Sequence, residues 1–292
     1  MEDLAQRIAS IRDDREHGSR WLVRSTIILL RDLATQPGFS QEEQLQRVRQ
    51  AGRELAQARP AMAALAGAVG RILAAPGSLA GMALAANQLL QEYDQAISRI
   101  TDFARPHLRG TVMTHSLSGT VLEVLRSCIP PVEHVVVLEG RPLYEGRTVA
   151  QSLRDRARTL TLITDAQADI FLPMCQALVV GADSILADAS ILNKAGTALL
   201  ALAAHVHGVP FYVLSESLKI SPRAWSGDLT LLEEHPGEEV WPDALAGVSV
   251  RNFYFDHTPA ELVTQIITEQ GPLDRDEIRR RAAQLQEIPE IT

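Results

Sequence analysis

The stretch ALVVGAD (177–183) decides the fold class of this chain of 292 residues. Its apolar residues are nearly continuous, which is typical of a strand that helices cover on both faces. Similar short runs, TVMTH, HVVVLE, TLTLIT and PFYVL, occur at 111–115, 134–139, 159–164 and 210–214. Because amphipathic stretches separate these runs, we predict an α/β fold with a doubly wound parallel sheet and crossover helices.

The residues before this region follow a different pattern. Ala, Leu, Gln, Glu and Arg dominate the first hundred residues, and apolar side chains recur there at helical spacing between breaks at Pro60, Pro76 and Pro106. We therefore predict an N-terminal helical bundle over residues 1–108, followed by an α/β domain over residues 109–292.

Local signals predict further elements in the last third of the chain. The run VSVRNFYFD (248–256) is predicted to form a strand, and the acidic, proline-containing stretch 215–247 an irregular surface loop. Thr258, Pro259 and Glu261 together have the form of a capping box. A helix is therefore predicted to begin there and to bury the apolar residues that follow.

The composition is that of a soluble globular protein, since 46% of the residues are hydrophobic and 22% are charged. The formal net charge of -8 disfavours broad nucleic-acid binding, which depends on neutralising phosphates. The aromatic content of 4% also disfavours a base-stacking platform. We therefore expect a partner other than nucleic acid.

The cysteines and the opening residues indicate the compartment and the cofactor requirement. Cys128 and Cys175 lack the spacing of a metal or redox site, so no disulfide, metal or redox cofactor is expected. The opening residues MEDLAQRIASIRDD (1–14) lack the pattern of a secretory signal, and no apolar run approaches the roughly 20 residues of a membrane span. The expectation is a cytoplasmic protein without a membrane segment.

Candidate catalytic residues follow the predicted strands, because ligands of open parallel sheets bind outside the carboxyl ends of the strands. Asp183 ends the run 177–183, where partial burial raises the pKa of a carboxyl group and suits it to proton transfer. The alternative is that Asp183 caps the next turn. His115 and Ser116 follow the first strand, and His115 is either an acid or base or a hydrogen-bonded structural residue.

Residues that suit an anion occur next to a predicted helix start. Asn193, Lys194 and Gly196 lie at the beginning of a helix predicted over 195–206, and free N–H groups at a helix start favour an anion. A phosphate is the natural candidate for that position.

Basic residues after other strands are further candidates for a phosphate. Arg141 and Arg147 bracket a turn after the second strand, and Lys219 follows the fifth. Arginine can clamp a phosphate through two parallel hydrogen bonds, although a solvated or paired side chain is the commoner outcome.

Several segments, taken together and in order, resemble one known family. They are GTVMTHSLSGTV (110–121), EGRPLYEGR (139–147), TLITDAQAD (161–169), VVGADSIL (179–186), LNKAGTALLALAA (192–204), VPFYVLSESLK (209–219) and FDHTPAELVTQIITEQG (255–271). The family unites the α, β and δ subunits of the translation initiation factor 2B exchange complex, methylthioribose-1-phosphate isomerase and archaeal ribose-1,5-bisphosphate isomerase. REHGSRWLVR (15–24) is similar to its phosphate-side glycine turn, which adds Gly18, Ser19 and Arg20 to the candidates.

The resemblance implies a helical N-terminal domain joined to a Rossmann-like domain, with a sugar phosphate or phosphate-bearing nucleotide in the cleft between them. It also implies pairing through the Rossmann-like domains, and hence a homodimer or a larger even oligomer. A cysteine and an aspartate are catalytic in the isomerases, and the matching positions here are Ser116 and Asp183. Because a serine hydroxyl keeps its proton far above neutral pH unless a base adjoins it, two hypotheses stay open.

The first hypothesis is an aldose–ketose isomerase of a pentose 1-phosphate, in which Asp183 moves the proton that opens the ring and Ser116 hydrogen bonds at the reacting carbon. The alternative is a regulatory subunit without turnover that binds a sugar phosphate or nucleotide and a protein partner. The candidates for binding the phosphate or the hydroxyl groups are Gly18, Ser19, Arg20, His115, Arg141, Arg147, Asn193, Lys194, Gly196 and Lys219. Neither hypothesis requires a metal or another cofactor.

Overall fold

The computed structural model describes residues 4–14, 17–75, 78–129 and 132–285. Pro76, and Arg15 and Glu16 of the segment 15–24, lie outside the described residues. Within the described ranges, the first helices are α1 (Leu4–Arg12), α2 (Ser19–Thr35), α3 (Gln41–Gln57), α4 (Ala63–Leu73) and α5 (Leu79–Ala104).

The first five helices form the predicted bundle. Local signals set their ends: the Ser40 hydroxyl accepts a bond from the Glu43 amide at the start of α3, and the Glu43 carboxylate accepts one from the Ser40 amide. The inner faces of the helices share one apolar core that includes Leu22, Ile27 and Leu65. Burial of these stripes stabilises the bundle more than helix propensity does.

Helix α5 connects the bundle to the rest of the chain. Its first half packs in the bundle core through residues such as Met82 and Leu89. Its second half packs against the sheet through Ile100 and Ala104. One continuous helix thus contributes to both cores, and the division after residue 108 stays a prediction.

Strands and helices alternate after α5. The described strands are β1 (Gly110–Thr114), β2 (Val132–Leu138), β3 (Thr159–Ile163), β4 (Ala177–Val180), β5 (Ser184–Ile185), β6 (Ile191–Lys194), β7 (Phe211–Leu214), β8 (Phe255–Thr258), β9 (Gln265–Thr268) and β10 (Gly271–Leu273). The described helices are α6 (Gly119–Ser127), α7 (Glu145–Leu153), α8 (Ala168–Phe171), α9 (Thr197–Val206) and α10 (Arg275–Gln284).

The main sheet has the predicted doubly wound arrangement. Among the described strands, seven form one sheet in the order β10-β9-β7-β4-β1-β2-β3. Neighbouring strands are parallel except β9 and β10, which are antiparallel. Val112 and Met113 belong to different apolar clusters, because successive side chains of a strand point to opposite faces. The sheet is therefore covered on both faces, and its strand order reverses between β1 and β4.

A smaller antiparallel sheet, formed by β5, β6 and β8, lies beside the carboxyl end of β4. Strand β6 carries Asn193 and Lys194, which lie opposite Asp256 and Phe255 of β8. The Asp183 amide donates to the Leu192 carbonyl at 2.8 Å, which holds β6 against the end of β4.

The structure corrects two predictions for the last third of the chain. The strand predicted over 248–256 is wrong except at its end, because β8 spans Phe255–Thr258. The helix predicted to begin after Thr258 is also wrong, since a short 3₁₀ turn at Ala260–Leu262 leads into β9. Ile266 of β9 is buried and lies opposite Val213 of β7. Pairing within a buried sheet outweighs a capping signal that covers only one turn.

Both cysteines lie in apolar cores as free thiols. Burial raises the pKa of the Cys175 thiol to about 11, so this sulfur is not a ready nucleophile. No helix in the described part of the chain is both long and apolar enough to cross a membrane.

Candidate functional site

A pocket of about 100 Å³ lies where the strand order of the main sheet reverses, at the carboxyl ends of β1 and β4. This is the position at which open α/β sheets bind ligands. The leading helices cover it from the other side. The predicted residues that line the pocket are Gly18, Ser19, Ser116, Asp183, Asn193, Lys194 and Lys219.

The loops after β1 and β4 approach each other closely at the floor of the pocket. A Cβ atom added to Gly181 would lie 2.6 Å from Ser118 Oγ, a distance that real Cβ contacts do not show. Glycine at 181 therefore lets the loop that carries Asp183 pack against the loop that carries Ser116.

Asp183 follows β4, directly before β5, and lines the pocket. Its backbone is fixed on both sides, since its amide donates to Leu192 and its carbonyl accepts from the Ala63 amide at 3.1 Å. The side chain accepts no hydrogen bond from the described residues, so it does not cap a turn there. Burial raises the pKa of Asp183, while Lys219 opposes that shift in part. The group thus holds its proton more strongly than an exposed aspartate does, which suits a proton donor.

Lys219 joins the sheet to the start of α2. Its Nζ donates to the Ala182 carbonyl at 2.7 Å and to Ser19 Oγ at 3.0 Å, and it lies 3.7 Å from Glu216 Oε2. Burial alone raises the pKa of Glu216, but Lys219 and Arg20 outweigh burial and hold it below the ordinary value. Lys219 therefore lines the pocket and is paired with the buried carboxylate of Glu216.

Helix α2 begins at the pocket. Gly18 is its N-cap residue and has no side chain to cap the first turn, and that turn contains no acidic residue. A helix start of this kind favours an anion, because its N–H groups and the helix dipole are positive. Together with the adjacent Lys219, the start of α2 suits a phosphate group.

Ser116 contacts a residue that was not among the candidates. Its Oγ donates to Glu145 Oε2 at 3.1 Å, and Glu145 Oε1 lies 2.9 Å from Lys194 Nζ. Ser116 has a left-handed backbone with φ of 68°, beyond the end of β1. The three side chains form a hydrogen-bonded group on one wall of the pocket.

Asn193 lies beside Lys194 on β6 and is buried. Its Nδ2 donates to Thr197 Oγ1 at 2.9 Å, which orients the side chain at the pocket wall. This position suits a hydrogen bond to a sugar hydroxyl, since an amide supplies both a donor and an acceptor.

The start of α9 does not have the predicted role. Gly196 has φ of 107°, so the helix begins at Thr197 rather than at 195. Asp256 Oδ2 accepts bonds from the Gly196 amide at 2.7 Å and from the Ala198 amide at 3.0 Å. The protein's own carboxylate thus occupies the position predicted for a phosphate. Burial raises the pKa of Asp256 to about 6.

Two other candidates are bound inside the protein and do not line the pocket. Arg20 donates to Glu216 at 2.5 Å and to the Tyr93 carbonyl at 3.0 Å, and its guanidinium lies 4.4 Å from the centre of the Tyr93 ring. His115 is buried and hydrogen bonds to the Ala195 carbonyl at 3.0 Å, while burial lowers its pKa. The geometry therefore supports a structural role for His115 and not the role of an acid or base.

Arg141, in the loop after β2, and Arg147, on α7, do not line the pocket. Arg141 donates to the Tyr144 hydroxyl and, at 3.0 Å, to the Val240 carbonyl. Arg147 packs over the Tyr144 ring and lies 3.9 Å from Glu139. Both arginines are thus paired with other groups of the protein, which is the commoner outcome for arginine.

A profile of the Initiation factor 2 subunit family matches residues 15–275. This chain belongs to that family. It is 30% identical over 287 residues to a ribose 1,5-bisphosphate isomerase of Archaeoglobus fulgidus, covering 94% of this chain and 90% of that protein. It is 41% identical over 163 residues to a putative translation initiation factor eIF-2B subunit 2-like protein of Pyrococcus horikoshii, covering 55% of this chain and 56% of that protein.

Solved structures also resemble this member of the initiation factor 2 subunit family. A translation initiation factor eIF-2B of Pyrococcus horikoshii OT3 superposes with a TM-score of 0.83 at 30% identity, covering 95% of this chain and 99% of that one. The 5-methylthioribose 1-phosphate isomerase of Pyrococcus horikoshii OT3 gives 0.76 at 24% identity, covering 97% and 88%. The second likeness concerns the fold alone.

Other residues that line the pocket of this family member are not among the predicted candidates. Arg59 lines the pocket from the linker before α4 and pairs with Glu233 at 3.0 Å, and His17 lines it beside Asp14. These residues reach the site only because the helical bundle packs over the strand ends. Their positions depend on long-range packing that local patterns do not report.

A larger cavity of about 540 Å³ lies next to the pocket and shares Asp14 and Arg59 with it. It is lined by residues 12–14 at the end of α1, by residues 58–60 after α3 and by the irregular segment 229–253, and it contains no residue of the main strand ends. The smaller pocket is the candidate functional site, because Asp183, Ser116 and both lysines converge there.

Proposed function

We propose that this chain is a cytoplasmic aldose–ketose isomerase that acts on a pentose 1-phosphate. The observation that carries the proposal is the convergence, in one pocket, of a carboxyl group with a raised pKa, a hydroxyl hydrogen bonded to a carboxylate, and a cationic helix start. The first of these is Asp183. The similarity to a ribose 1,5-bisphosphate isomerase over nearly the whole chain supports it.

The chemistry of a pentose 1-phosphate explains why these groups are needed. Its anomeric oxygen carries the phosphate, so the sugar has no free aldehyde and the ring must open during the reaction. An acid protonates the ring oxygen as the C1–O bond breaks, and a base removes the proton from C2. The C–H electron pair then forms the C1–C2 double bond of an enol. Return of a proton to C1 and loss of the C2 hydroxyl proton give the ketose.

Asp183 suits the acid role in this sequence. A raised pKa favours the protonated form that gives its proton to the ring oxygen, and the resulting carboxylate can accept the C2 hydroxyl proton in the second half. Each cycle therefore returns Asp183 to its starting state without any other reagent.

The start of α2 and Lys219 suit the phosphate. Lys219 Nζ is already within hydrogen-bond distance of Ser19, so the ammonium and the first turn of α2 act on the same point. Fixing the phosphate there orients the pentose across the pocket, between Asp183 and Ser116.

Turnover of pentose phosphates tests the proposal. Purified protein is incubated with ribose 1-phosphate, ribose 1,5-bisphosphate or methylthioribose 1-phosphate, and the products are followed by ¹³C NMR. We expect a ketose carbonyl signal from at least one substrate. Tight binding of these compounds without any ketose would instead favour a regulatory subunit, as in the putative eIF-2B-like relative.

We further propose that two copies pair through an apolar surface on α8, α9 and the turn after α8. Leu199, Val206 and Ile170 are 73%, 78% and 69% exposed there. Asp169 and His207, 2.6 Å apart, join α8 to the end of α9. An exposed apolar surface of this kind is typical of a protein–protein contact.

Light scattering after gel filtration tests the pairing. Leu202 is a further exposed leucine of α9. The double substitution Leu199→Glu and Leu202→Glu should halve the measured mass, because charges cannot be buried in an apolar contact. Leu84→Glu, on an exposed part of α5, is the matched control and should leave the mass unchanged. A mass that is the same for all three proteins would exclude this surface.

A further inference from the structure

We propose that Glu145 is the proton acceptor of this site and that Ser116 carries the proton between Glu145 and the substrate. The proposal rests on the proposed isomerase function and adds a base to it. Asp183 supplies only the acid, and the reaction also needs a group that removes the proton from C2.

The two oxygens of Glu145 have different partners. Oε1 lies 2.9 Å from Lys194 Nζ, and Oε2 accepts the Ser116 hydroxyl at 3.1 Å. Ser116 and Glu145 both line the pocket, and the Ser116 hydroxyl donates its proton to the Glu145 carboxylate. This is the order of groups that a proton relay requires: substrate, hydroxyl, carboxylate.

A serine hydroxyl needs such a partner, because it does not ionise by itself near neutral pH. His115 is next in the chain but cannot supply the base. It is buried beneath Gly196, where an added Cβ would lie 3.2 Å from His115 Nε2, and it hydrogen bonds to Ala195 instead. Among the described residues, Glu145 is the one group that hydrogen bonds to Ser116 Oγ.

The chain holds Glu145 in place through close backbone contacts. A Cβ added to Gly146 would lie 1.8 Å from the Leu138 carbonyl oxygen, so only glycine lets α7 begin against the end of β2. Asp165 accepts bonds from the Gly140 and Arg141 amides at 2.9 Å and 2.8 Å, which fixes the same loop. A carboxylate at the first residue of α7 is also favoured by the helix dipole.

Lys194 compensates the charge of Glu145. The ammonium group is buried and lies 4.3 Å from the centre of the Tyr254 ring, so its side chain is held from two sides. The ion pair thus places a positive charge on the side of Glu145 opposite the Ser116 hydroxyl.

The proton step balances without a further reagent. Ser116 Oγ takes the proton from C2 while its own hydroxyl proton moves to Glu145 Oε2, and the C–H electron pair forms the C1–C2 double bond. Asp183 protonates the ring oxygen in the same half-reaction. The relay then runs in reverse and delivers a proton to C1, which restores Ser116 and Glu145.

A double-mutant cycle tests the relay. Glu145→Gln in the natural background should lower kcat by about 10²- to 10⁴-fold, the usual contribution of a general base. In the Ser116→Cys background, Glu145→Gln should lower kcat by less than about tenfold relative to Ser116→Cys alone. The reason is that a thiol, with an ordinary pKa of about 8.5, ionises without a neighbouring base. Ser116→Ala should match the loss of Glu145→Gln.

The controls separate the possible outcomes. Glu139→Gln removes another carboxylate of the same loop outside the pocket and should leave kcat unchanged, and thermal unfolding checks that each variant folds. An equal loss from Glu145→Gln in both backgrounds would overturn the relay and leave Glu145 a positioning residue. Full kcat in Ser116→Ala would also overturn it. Absence of turnover in the wild-type protein would instead remove the proposed function and the relay with it.

Discussion

The substitution Asp183→Asn is expected to lower kcat by about 10²- to 10⁴-fold while the dissociation constant of the sugar phosphate changes by less than about fivefold. The amide has the size of the carboxyl group but cannot give a proton to the ring oxygen. In the wild-type structure the Asp183 carboxylate accepts no hydrogen bond from the described residues, so the fold does not depend on its charge. Steady-state kinetics and calorimetric titration measure the two quantities.

The pH dependence of kcat provides a second readout on Asp183. The reaction uses the protonated acid, and burial raises the pKa of this group. Activity should therefore be present below the raised pKa and be lost as the pH rises through it, at a higher pH than for an ordinary carboxyl group. That descending limb should be missing from any residual activity of the variant.

A nearby carboxylate outside the pocket provides the matched control. Asp188 accepts bonds from the Ser190 amide and hydroxyl in the turn between β5 and β6. Asp188→Asn should leave kcat and the dissociation constant unchanged. An equal loss of kcat and affinity in Asp183→Asn would mean that Asp183 has a structural role.

The substitution Lys219→Met is expected to weaken both folding and phosphate binding. It removes the donor to Ala182 and Ser19 and one of the cations beside the buried Glu216. Removing one partner from a buried charge pair costs about 3–5 kcal/mol, and the lower end applies here because Arg20 still pairs with Glu216. Urea unfolding and titration with inorganic phosphate measure the two effects.

An exposed cation provides the comparison for Lys219. Arg24 pairs with Asp94 on the surface of the bundle, and Arg24→Met should cost at most about 1 kcal/mol without affecting phosphate affinity. If Lys219→Met bound phosphate as tightly as the wild-type protein, the phosphate would have to bind elsewhere.

The use of lysine in this chain supports the importance of the two cations. Lys194 and Lys219 are the two lysines in the sequence, although Lys and Arg together number 28. Both lysines are buried and line the pocket. A compact ammonium fits a narrow buried position that the planar guanidinium of arginine does not.

The sheet and the core of the site could be predicted because both follow from strand direction. Buried parallel strands give nearly continuous apolar runs, such as Leu178 to Val180, and their carboxyl ends meet at one edge. Asp183, Ser116 and Lys219 follow three of these strands, so they converge once the strand order is known. No side-chain detail is needed for that step.

The errors arise where a distant segment supplies the partner. Asp256 accepts the hydrogen bonds of the first amides of α9 because β8 pairs with β6. That antiparallel pairing leaves no local signal in the sequence near Gly196. A second long-range pairing, of β9 with β7, makes a strand of the segment around Ile266 for which a helix is predicted.

Glu145 was missed for a related reason. In its segment the sequence predicts Arg141 and Arg147 as phosphate ligands, yet the contact of Gly146 with the end of β2 turns Glu145 toward Ser116. The arginines of that turn find partners outside the pocket instead. Which side of a turn faces the ligand depends on backbone packing, and residue types alone do not specify it.

The crystal structure of the Asp183→Asn variant with bound ribose 1-phosphate tests the central claim most directly. We predict that the phosphate contacts Lys219 Nζ and the first turn of α2, that the ring oxygen faces position 183, and that C2 lies next to Ser116 Oγ. A phosphate held by Arg141 and Arg147, or a sugar bound in the larger cavity beside Arg12 and Arg251, would contradict the account.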